Sequence, residues 1–265
     1  MANNNTASTI PAFVLHSRPY RDTSAIVELF TKTHGRVTVV ARGAKAAKCR
    51  YRGILQPFQP LLVSWTGRGE MFTLCAAEEE SLPFYLTGQR LIVGLYINEL
   101  LMRAMGRGDS HGALYNCYQH LLENISAEKT NIVSTKHEQA IRFFEMDLLA
   151  ELGYGLMLGH ESDTGVVVSA DYQYYYHPSR GPLRVGDDSI AISTSEVEIS
   201  GSTLLALHRR ELNYPDELRY AKRLLRKTLA YHLGDKPLRS RRLFQHYRNN
   251  AKQDETTQHE VSNDN

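Results

Sequence analysis

Residues 24–42 read SAIVELFTKTHGRVTVVAR and contain two runs of β-branched and aromatic residues separated by a short turn. Such runs are typical of β-strands, and His34-Gly35 has the composition of a hairpin turn between them. The same pattern extends outward from this hairpin over residues 10–77. It predicts five strands, at residues 12–16, 24–31, 36–42, 61–65 and 70–76.

Five short strands with a long connection between the third and the fourth fit a small Greek-key barrel of the OB kind. Other small barrels share this strand pattern, so the count alone does not select the OB-fold. We predict an OB-fold β-barrel at residues 10–82, preceded by a disordered N-terminus at residues 1–9.

The periodicity becomes helical after Pro83, where apolar residues recur at three to four positions through to Met105. Further helices are predicted at residues 112–123, 134–152, 202–212 and 216–233. Between them, a valine run at 166–168 and a tyrosine run at 172–176 indicate a small β-rich insert. The predicted fold class is therefore α+β and multidomain, with a discontinuous helical domain (83–157 and 201–248), an insert (158–200) and a disordered tail (249–265).

The chain of 265 residues carries a net charge of only +2, so a polyanion partner must be argued from where the charges lie. Its three cysteines are odd in number and widely spaced, which predicts free thiols in a reducing compartment. The first residues lack the pattern of a secretory signal, and no apolar run approaches the length of a membrane helix. We expect a soluble, cytoplasmic protein.

The sharpest feature is an interval without carboxylates between Glu28 and Glu70. It contains Lys32, Arg36, Arg42, Lys45, Lys48, Arg50, Arg52 and Arg68. Tyr51, Phe58 and Trp65 lie close by, and a basic groove with aromatic platforms is what sequence-tolerant single-strand binding uses. Two alternatives remain open, because the basic loop could be an ordinary solvated surface and the aromatics could fill the barrel core.

A second basic zone lies on the last predicted helix and just after it. It comprises Arg219, Lys222, Arg223, Arg226, Lys227, Lys236, Arg239, Arg241 and Arg242, with Asp235 as its single acid. Helical spacing places the first of these cations on one face. That face is either a second polyanion contact or a solvated outer surface, and attraction to an anionic membrane surface is the weaker reading.

Motifs of common enzymes fail at specific positions. His137-Glu138 begins like a zinc-protease helix, but Ile141 stands where the second histidine ligand belongs. The glycine-rich residues 106–111 lack the last glycine of a dinucleotide loop, and neither a P-loop nor a nucleophile elbow is present. We therefore predict a protein that is not an enzyme.

Several blocks, in order, resemble the bacterial RecO family of recombination and repair mediators. They are residues 12–19 (AFVLHSRP), 35–37 (GRV), 41–44 (ARGA), 55–61 (LQPFQPL), 67–70 (GRGE), 95–101 (LYINELL), 152–155 (LGYG) and 236–241 (KPLRSR). The resemblance implies an N-terminal OB domain, a helical domain and a small zinc-finger-like insert. Many members carry four cysteines in that insert, whereas residues 158–200 contain none.

The chain thus looks like the metal-free branch of the family, with the insert held by its tyrosines and strands and with no cofactor. Structural zinc needs four ligands, and His160 and His177 alone could not supply them. The resemblance implies a nucleoid-associated mediator that binds single- and double-stranded DNA and anneals complementary strands. It also implies that the mediator helps RecA load on strands coated by the single-strand-binding protein SSB, with contacts to RecR and to the acidic, apolar SSB tail.

An interaction adaptor, whose basic zones bind acidic peptides such as the SSB tail and touch DNA only incidentally, is the competing hypothesis. Both hypotheses use the same cations. The predicted DNA contacts are Arg18, Arg36, Arg42, Lys45, Lys48, Arg50, Arg52, Arg68, Arg223, Arg226, Lys236, Arg239 and Arg241.

Overall fold

The computed structural model describes residues 9–46, 49, 51, 53–69, 71–128, 131–186 and 195–247. The chain divides into two compact units. The first comprises Met1–Ile132 together with Pro237–Asn265, and the second comprises Val133–Lys236. The helices predicted as one domain are thus distributed over both units.

The first unit contains a closed barrel with the strand order β1-β2-β3-β5-β4. The strands are β1 (Ile10–Tyr20), β2 (Ser24–Thr31), β3 (Gly35–Ala41), β4 (Leu61–Thr66) and β5 (Phe72–Glu79). All neighbours pair antiparallel except β3 and β5, which are parallel. The predicted five-stranded OB-like barrel is confirmed, and β1 is longer at both ends than the pattern indicated.

Alternation along each strand sends every second side chain into the barrel. The barrel core contains Val14, Val27, Leu29, Val39, Leu61, Val63 and Leu74. Tyr51, from the connection between β3 and β4, joins this core with 4% of its surface exposed. Its hydroxyl donates a hydrogen bond to the carbonyl oxygen of Cys75 (3.2 Å), which satisfies the one polar atom that the ring brings inside.

Two helices, α1 (Gly88–Ala104) and α2 (Gly112–Ser126), belong to the same unit. A buried polar link ties them to the barrel: the amide of Asn98 donates to the carbonyl oxygen of Leu15 (3.2 Å), and the hydroxyl of Tyr118 donates to Asn98 Oδ1 (2.6 Å). Burial raises the pKa of Tyr118, so the hydroxyl remains a donor. Because each buried polar atom in the link has a partner, the link fixes α1 and α2 against β1.

A C-terminal helical segment (residues 239–247) is also part of the first unit and begins at a carboxylate of α1. Glu99 accepts hydrogen bonds from the backbone N–H groups of Arg239 (2.8 Å) and Ser240 (2.9 Å) and from the Ser240 hydroxyl (2.9 Å). These N–H groups are the ones that a helix leaves unpaired at its start. Glu99 therefore acts as an N-cap supplied from another helix.

Replacing Glu99 with glutamine is expected to lower the free energy of unfolding by about 1 kcal/mol at neutral pH, the usual value of a lost cap. Partial burial alone would raise the pKa of Glu99, but the hydrogen bonds from Ser240 and Arg239 and the charge of Arg103 hold it below its ordinary value. The stabilisation is therefore present above the ordinary carboxyl pKa and is lost as the pH falls through the lowered pKa.

Urea denaturation of the wild type and the Glu99→Gln variant over a range of pH measures this effect. Glu79→Gln, at an exposed position on β5, is the matched control. A difference between wild type and Glu99→Gln that stayed constant below the lowered pKa would contradict the capping role.

The second unit combines α3 (Thr135–Glu151), α4 (Gly201–Arg209) and α5 (Pro215–Leu233) with a small sheet of order β7-β6-β8. The strands are β6 (Gln173–His177), β7 (Gly181–Arg184) and β8 (Val197–Ser200). Ser134 and Ser200 cap α3 and α4 through their hydroxyl oxygens. Pro215 opens α5, and Gly234 follows its last turn.

The described part of the predicted insert contains β6, β7 and β8, and its core packs together with residues of α4 and α5. It combines Tyr174 and Tyr176 with Leu158, Val168, Val197 and Ile199. Tyr174 and Tyr176 are 0% and 1% exposed. The hydroxyl of Tyr176 accepts from the N–H of Met157 (3.1 Å), and that of Tyr174 accepts from the N–H of Ser169 (3.0 Å). Both tyrosines thus belong to the core of this region, whereas the likeness of the insert to a zinc finger stays a prediction.

Candidate nucleic-acid interface

Four cationic side chains lie at one end of the barrel. β1 ends, β2 begins and β3 ends there, because β2 pairs antiparallel with both neighbours. The segment that follows β3 is tied to the β1–β2 turn by a hydrogen bond from the N–H of Lys45 to the carbonyl oxygen of Thr23 (2.8 Å). We call this group the β1–β2 rim; its members are Arg18, Arg21, Arg42 and Lys45.

All four side chains of the β1–β2 rim are exposed, and none forms an ion pair with another residue that the structure describes. The guanidinium of Arg21 lies 5.1 Å from the centre of the Tyr20 ring, and Asp22 is an exposed acid in the same turn. An unpaired surface cation can neutralise a phosphate directly, whereas a paired cation must first give up its carboxylate. The rim is therefore suited to a polyanion.

The outer face of β2 and β3, which OB-folds commonly use for oligonucleotides, is covered. Ile26 and Phe30 point away from the barrel interior, yet they are 3% and 0% exposed. The Phe30 ring packs edge-on against Tyr115 and Tyr118 of α2, at centroid distances of 5.4 and 5.9 Å. An oligonucleotide therefore cannot lie across the part of this face that Ile26 and Phe30 form.

Arg36 lies within this covered face. Its Nη1 donates to the carbonyl oxygen of Met102, and its Nε lies 3.5 Å from the carboxylate of Glu28. Glu28 also accepts from the Thr38 hydroxyl (3.0 and 3.1 Å) and lies 3.9 Å from Arg107. The Arg36 side chain is 15% exposed. Arg36 therefore links β3 to α1, and its guanidinium is already engaged within the protein.

Arg68 lies at the opposite end of the barrel, in the β4–β5 turn. The β2–β3 turn is at the same end, because the His34 ring meets the Trp65 ring there at a centroid distance of 5.4 Å. Arg68 and Lys32 are both exposed and, like the rim cations, form no ion pair within the described parts of the chain. The structure thus divides the predicted cations between two ends of the barrel.

The aromatic residues near the basic stretch mostly fill the interior. Tyr51 belongs to the barrel core, and the Phe58 ring, 5% exposed, lies against Gly94 of α1. Trp65 is half-buried at the end of β4. Tyr51 therefore fills the barrel core, whereas Phe58 is buried against α1. Trp65 is the one of the three that a base could reach.

Lys48, Arg50 and Arg52, the other predicted contacts in the connection after β3, lie outside the described residues. Their assignment as phosphate contacts stays a prediction.

The cations of α5 differ in whether they are paired. Arg219 lies 3.0 Å from Asp216, and Lys222 lies 3.4 Å from Glu138 of α3. Arg223 and Arg226, which were predicted as DNA contacts, are exposed and have no ion pair in the portion of the chain that the structure covers. These two remain suited to a second phosphate contact.

The remaining predicted contacts lie on both sides of the boundary between the two units. Lys236 is exposed and ends the second unit, whereas Arg239 and Arg241 belong to the first. Arg239 is exposed and Arg241 is half-buried in the C-terminal helical segment. Their continuity in sequence therefore does not make them one surface.

Arg21 of the β1–β2 rim was not predicted as a contact. It precedes Glu28 and so lies outside the interval without carboxylates, and it falls just after residues 12–19, the block that contains Arg18. The signal that could have found it is the position of Arg21 in the turn between the first two predicted strands, since turns of OB barrels carry binding residues.

Across the described residues, no helix is both long enough and apolar enough to span a bilayer. In the same residues, no group of three or more His, Cys, Asp and Glu side chains is placed to bind a metal ion.

Comparison with known proteins gives a consistent result along the chain. Residues 6–81 match the model of the recombination protein O N-terminal family, and residues 86–242 match that of the C-terminal family. A protein named DNA repair protein RecO from Nitrosococcus oceani is 46% identical over 90% of this chain and 93% of its own length. Proteins of the same name from Nitrosospira multiformis (41%; 89% and 94%) and Yersinia enterocolitica (42%; 89% and 93%) are also similar. The two family models cover nearly the whole described chain in order, and the chain therefore belongs to the recombination protein O (RecO) family.

Proposed function

We propose that this protein is a DNA repair and recombination mediator, not an enzyme, that binds single- and double-stranded DNA through its barrel. The observation that carries the proposal is the β1–β2 rim, four exposed cations without ion pairs to other described residues. The relatives at 41% to 46% identity are named DNA repair proteins, which supports the same role. As a mediator, the protein anneals complementary strands and assists RecA loading on SSB-coated DNA together with RecR and the SSB tail.

The rim explains how such binding is independent of sequence. Contacts to phosphate fix a protein on the nucleic acid without reading bases. Arg18, Arg21, Arg42 and Lys45 reach out from the ends of β1 and β3 and from the turns beside them, so their spacing is fixed by the barrel. Both single- and double-stranded DNA can therefore contact these side chains.

Replacing Arg42 and Lys45 together with glutamine is expected to reduce the slope of log affinity against log salt by about 1.4 to 1.8. Each phosphate contact releases condensed counterions, and two contacts are removed while both side chains remain polar. Fluorescence anisotropy of a labelled oligo(dT) at several salt concentrations measures the slope.

The matched control is Lys136→Gln with Arg209→Gln, which removes two equally exposed cations from α3 and α4 of the second unit. Its slope should stay near that of the wild type. An equal fall in both variants would mean that net charge, and not the rim, attracts DNA. An unchanged slope in the rim variant would contradict the assignment of these two residues.

The finer steps are tested with the same two variants in a strand-annealing assay, with and without SSB. Annealing that depends on Arg42 and Lys45 and resists SSB supports the mediator. Failure to bind naked oligonucleotides, together with tight binding of an SSB tail peptide, would instead favour an adaptor.

A further inference from the structure

An aromatic cluster lies at the end of the barrel opposite the β1–β2 rim. The His34 ring meets the Trp65 ring at 5.4 Å and nearly at right angles (88°). The Phe72 ring lies 6.4 Å from Trp65, inclined by 56°. His34 is exposed, and the other two are half-buried. We call these three rings the barrel-end cluster; the mechanism of the rim does not use it.

The turn that carries His34 is held in place before any ligand arrives. The hydroxyl of Thr31 donates to the carbonyl oxygen of Gly35 (2.9 Å) and its oxygen accepts from the N–H of His34 (3.1 Å). Gly35 adopts a φ of +58° and packs directly against the backbone of Asp109. A ligand that stacks on the cluster therefore spends little free energy on ordering the turn.

Trp65 and Phe72 are fixed as well, because they end β4 and begin β5. Trp65 pairs with Leu74 across the two strands, and both aromatic residues pack against the barrel core from its edge. An aromatic ring that is anchored on one side and reachable on the other is the form that base-stacking platforms take.

The surroundings of the cluster favour a nucleic acid over an apolar peptide. Lys32 and Arg68, both exposed, flank it on the β2–β3 and β4–β5 turns. The carboxylate of Asp109 is directed at Gly106 of its own turn, and Glu70 lies outside the described residues. Cations beside an aromatic surface match the alternation of phosphate and base along a single strand.

We propose that the barrel-end cluster stacks an unpaired base of single-stranded DNA, while Lys32 and Arg68 hold the neighbouring phosphates. This inference rests on the DNA binding proposed above and adds a second, base-dependent site to the rim. Duplex DNA offers no such base, since its base faces are covered by their neighbours in the stack. The cluster therefore gives the protein a preference for single strands that the cations alone do not provide.

Trp65 is the only tryptophan of the chain, so its emission reports on the cluster without any substitution. Titration of the wild-type protein with oligo(dT), with an abasic oligonucleotide of the same length and with a duplex is the primary test. We expect oligo(dT) to quench the emission, whereas the abasic strand and the duplex bind, as measured by anisotropy, with little quenching.

The possible results are separable. Equal quenching by oligo(dT) and the abasic strand would overturn base stacking while leaving DNA binding intact. Binding of oligo(dT) without any change in emission would overturn it too, and would leave the cluster as a surface for a protein partner. Binding of none of the three ligands would overturn the proposed function, and this inference with it.

A substitution gives the second measurement. Because His34 is exposed, His34→Ala changes the cluster without opening the barrel core. It should weaken binding of oligo(dT) by about 5- to 150-fold, the range for loss of one stacked base, and change binding of the abasic strand much less. The control is His120→Ala, at an exposed histidine on α2 paired with Glu123. An equal loss for both strands would contradict stacking on His34.

Discussion

Replacing Gly35 with alanine is expected to destabilise the protein by about 2 to 5 kcal/mol, from backbone strain and overpacking together. Gly35 has a φ of +58°, a region that residues with a Cβ rarely adopt. A Cβ at this position would lie 1.7 Å from the carbonyl oxygen of Asp109 and 2.6 Å from its carbonyl carbon. Both obstructing atoms are backbone, so no side-chain rotation relieves the overlap.

Gly43→Ala separates the two causes. Gly43 has a similar φ of +68°, but nothing lies within 4 Å of the position of its Cβ. The Gly43→Ala substitution should lower the free energy of unfolding by only about 1 to 2 kcal/mol, the cost of the left-handed backbone. Urea denaturation followed by the emission of Trp65 compares the two variants, with stability taken from the linear dependence on denaturant. If Gly35→Ala were as stable as Gly43→Ala, the close contact between the Asp109 backbone and Gly35 would be contradicted.

The contact at Gly35 also shows what the sequence could and could not predict about this end of the barrel. The hairpin at His34-Gly35 was predicted from composition, because the turn lies between two clear strand patterns. The approach of Asp109 was not, since it joins residues more than seventy positions apart and leaves no local signal. The functional consequence is that a distant loop fixes the turn that presents His34.

The sequence of β2 carries a sign that the outer face of β2 and β3 is covered, and the number of strands does not reveal it. In an OB barrel with an open outer face, β2 would alternate between apolar and polar residues. Instead Ile26 and Phe30 sit at outward positions, and their burial under helices follows from that apolar character. The apolar residues at these outward positions of β2 would have predicted that other elements cover its outer face.

Arg36 illustrates why the composition of an interval does not define a binding surface. Glu28, the acid that bounds the interval, lies opposite Thr38 in the β2–β3 pairing, and Arg36 is two residues from Thr38 on the same face. The register of the predicted hairpin already brings Glu28 and Arg36 together. Lys32, Arg42, Lys45 and Arg68 lie outside the paired strands, where no carboxylate is in register with them, and all four are exposed.

Helical periodicity was sufficient to find α1 to α5 but not to assign them to units. An apolar stripe shows that a helix face is buried, not what buries it. The rings of Phe13 on β1 and Phe30 on β2 meet Tyr115 of α2, which places this helix with the barrel. Only such long-range contacts decide that α1 and α2 separate from α3, α4 and α5.

Replacing Glu145 with leucine should destabilise the second unit by about 3 to 5 kcal/mol, because it leaves a buried cation without its partner. Arg142 Nη1 lies 3.0 Å from the Glu145 carboxylate on α3, and the two side chains are 9% and 1% exposed. The α3 helix is the one against which α5 packs, so the loss should also loosen the surface that carries Arg223 and Arg226.

The double variant Arg142→Met with Glu145→Leu tests whether the protein needs the ion pair itself or only the absence of an unpaired buried charge. Two apolar side chains of similar volume remove the unpaired charge, so most of the stability lost in Glu145→Leu should return. Denaturation of the wild type, both single variants and the double variant gives the coupling free energy. A double variant as unstable as the sum of the single variants would show that the two residues act independently. Recovery of stability would instead show that the ion pair is replaceable by packing, and that α3 can support α5 without it.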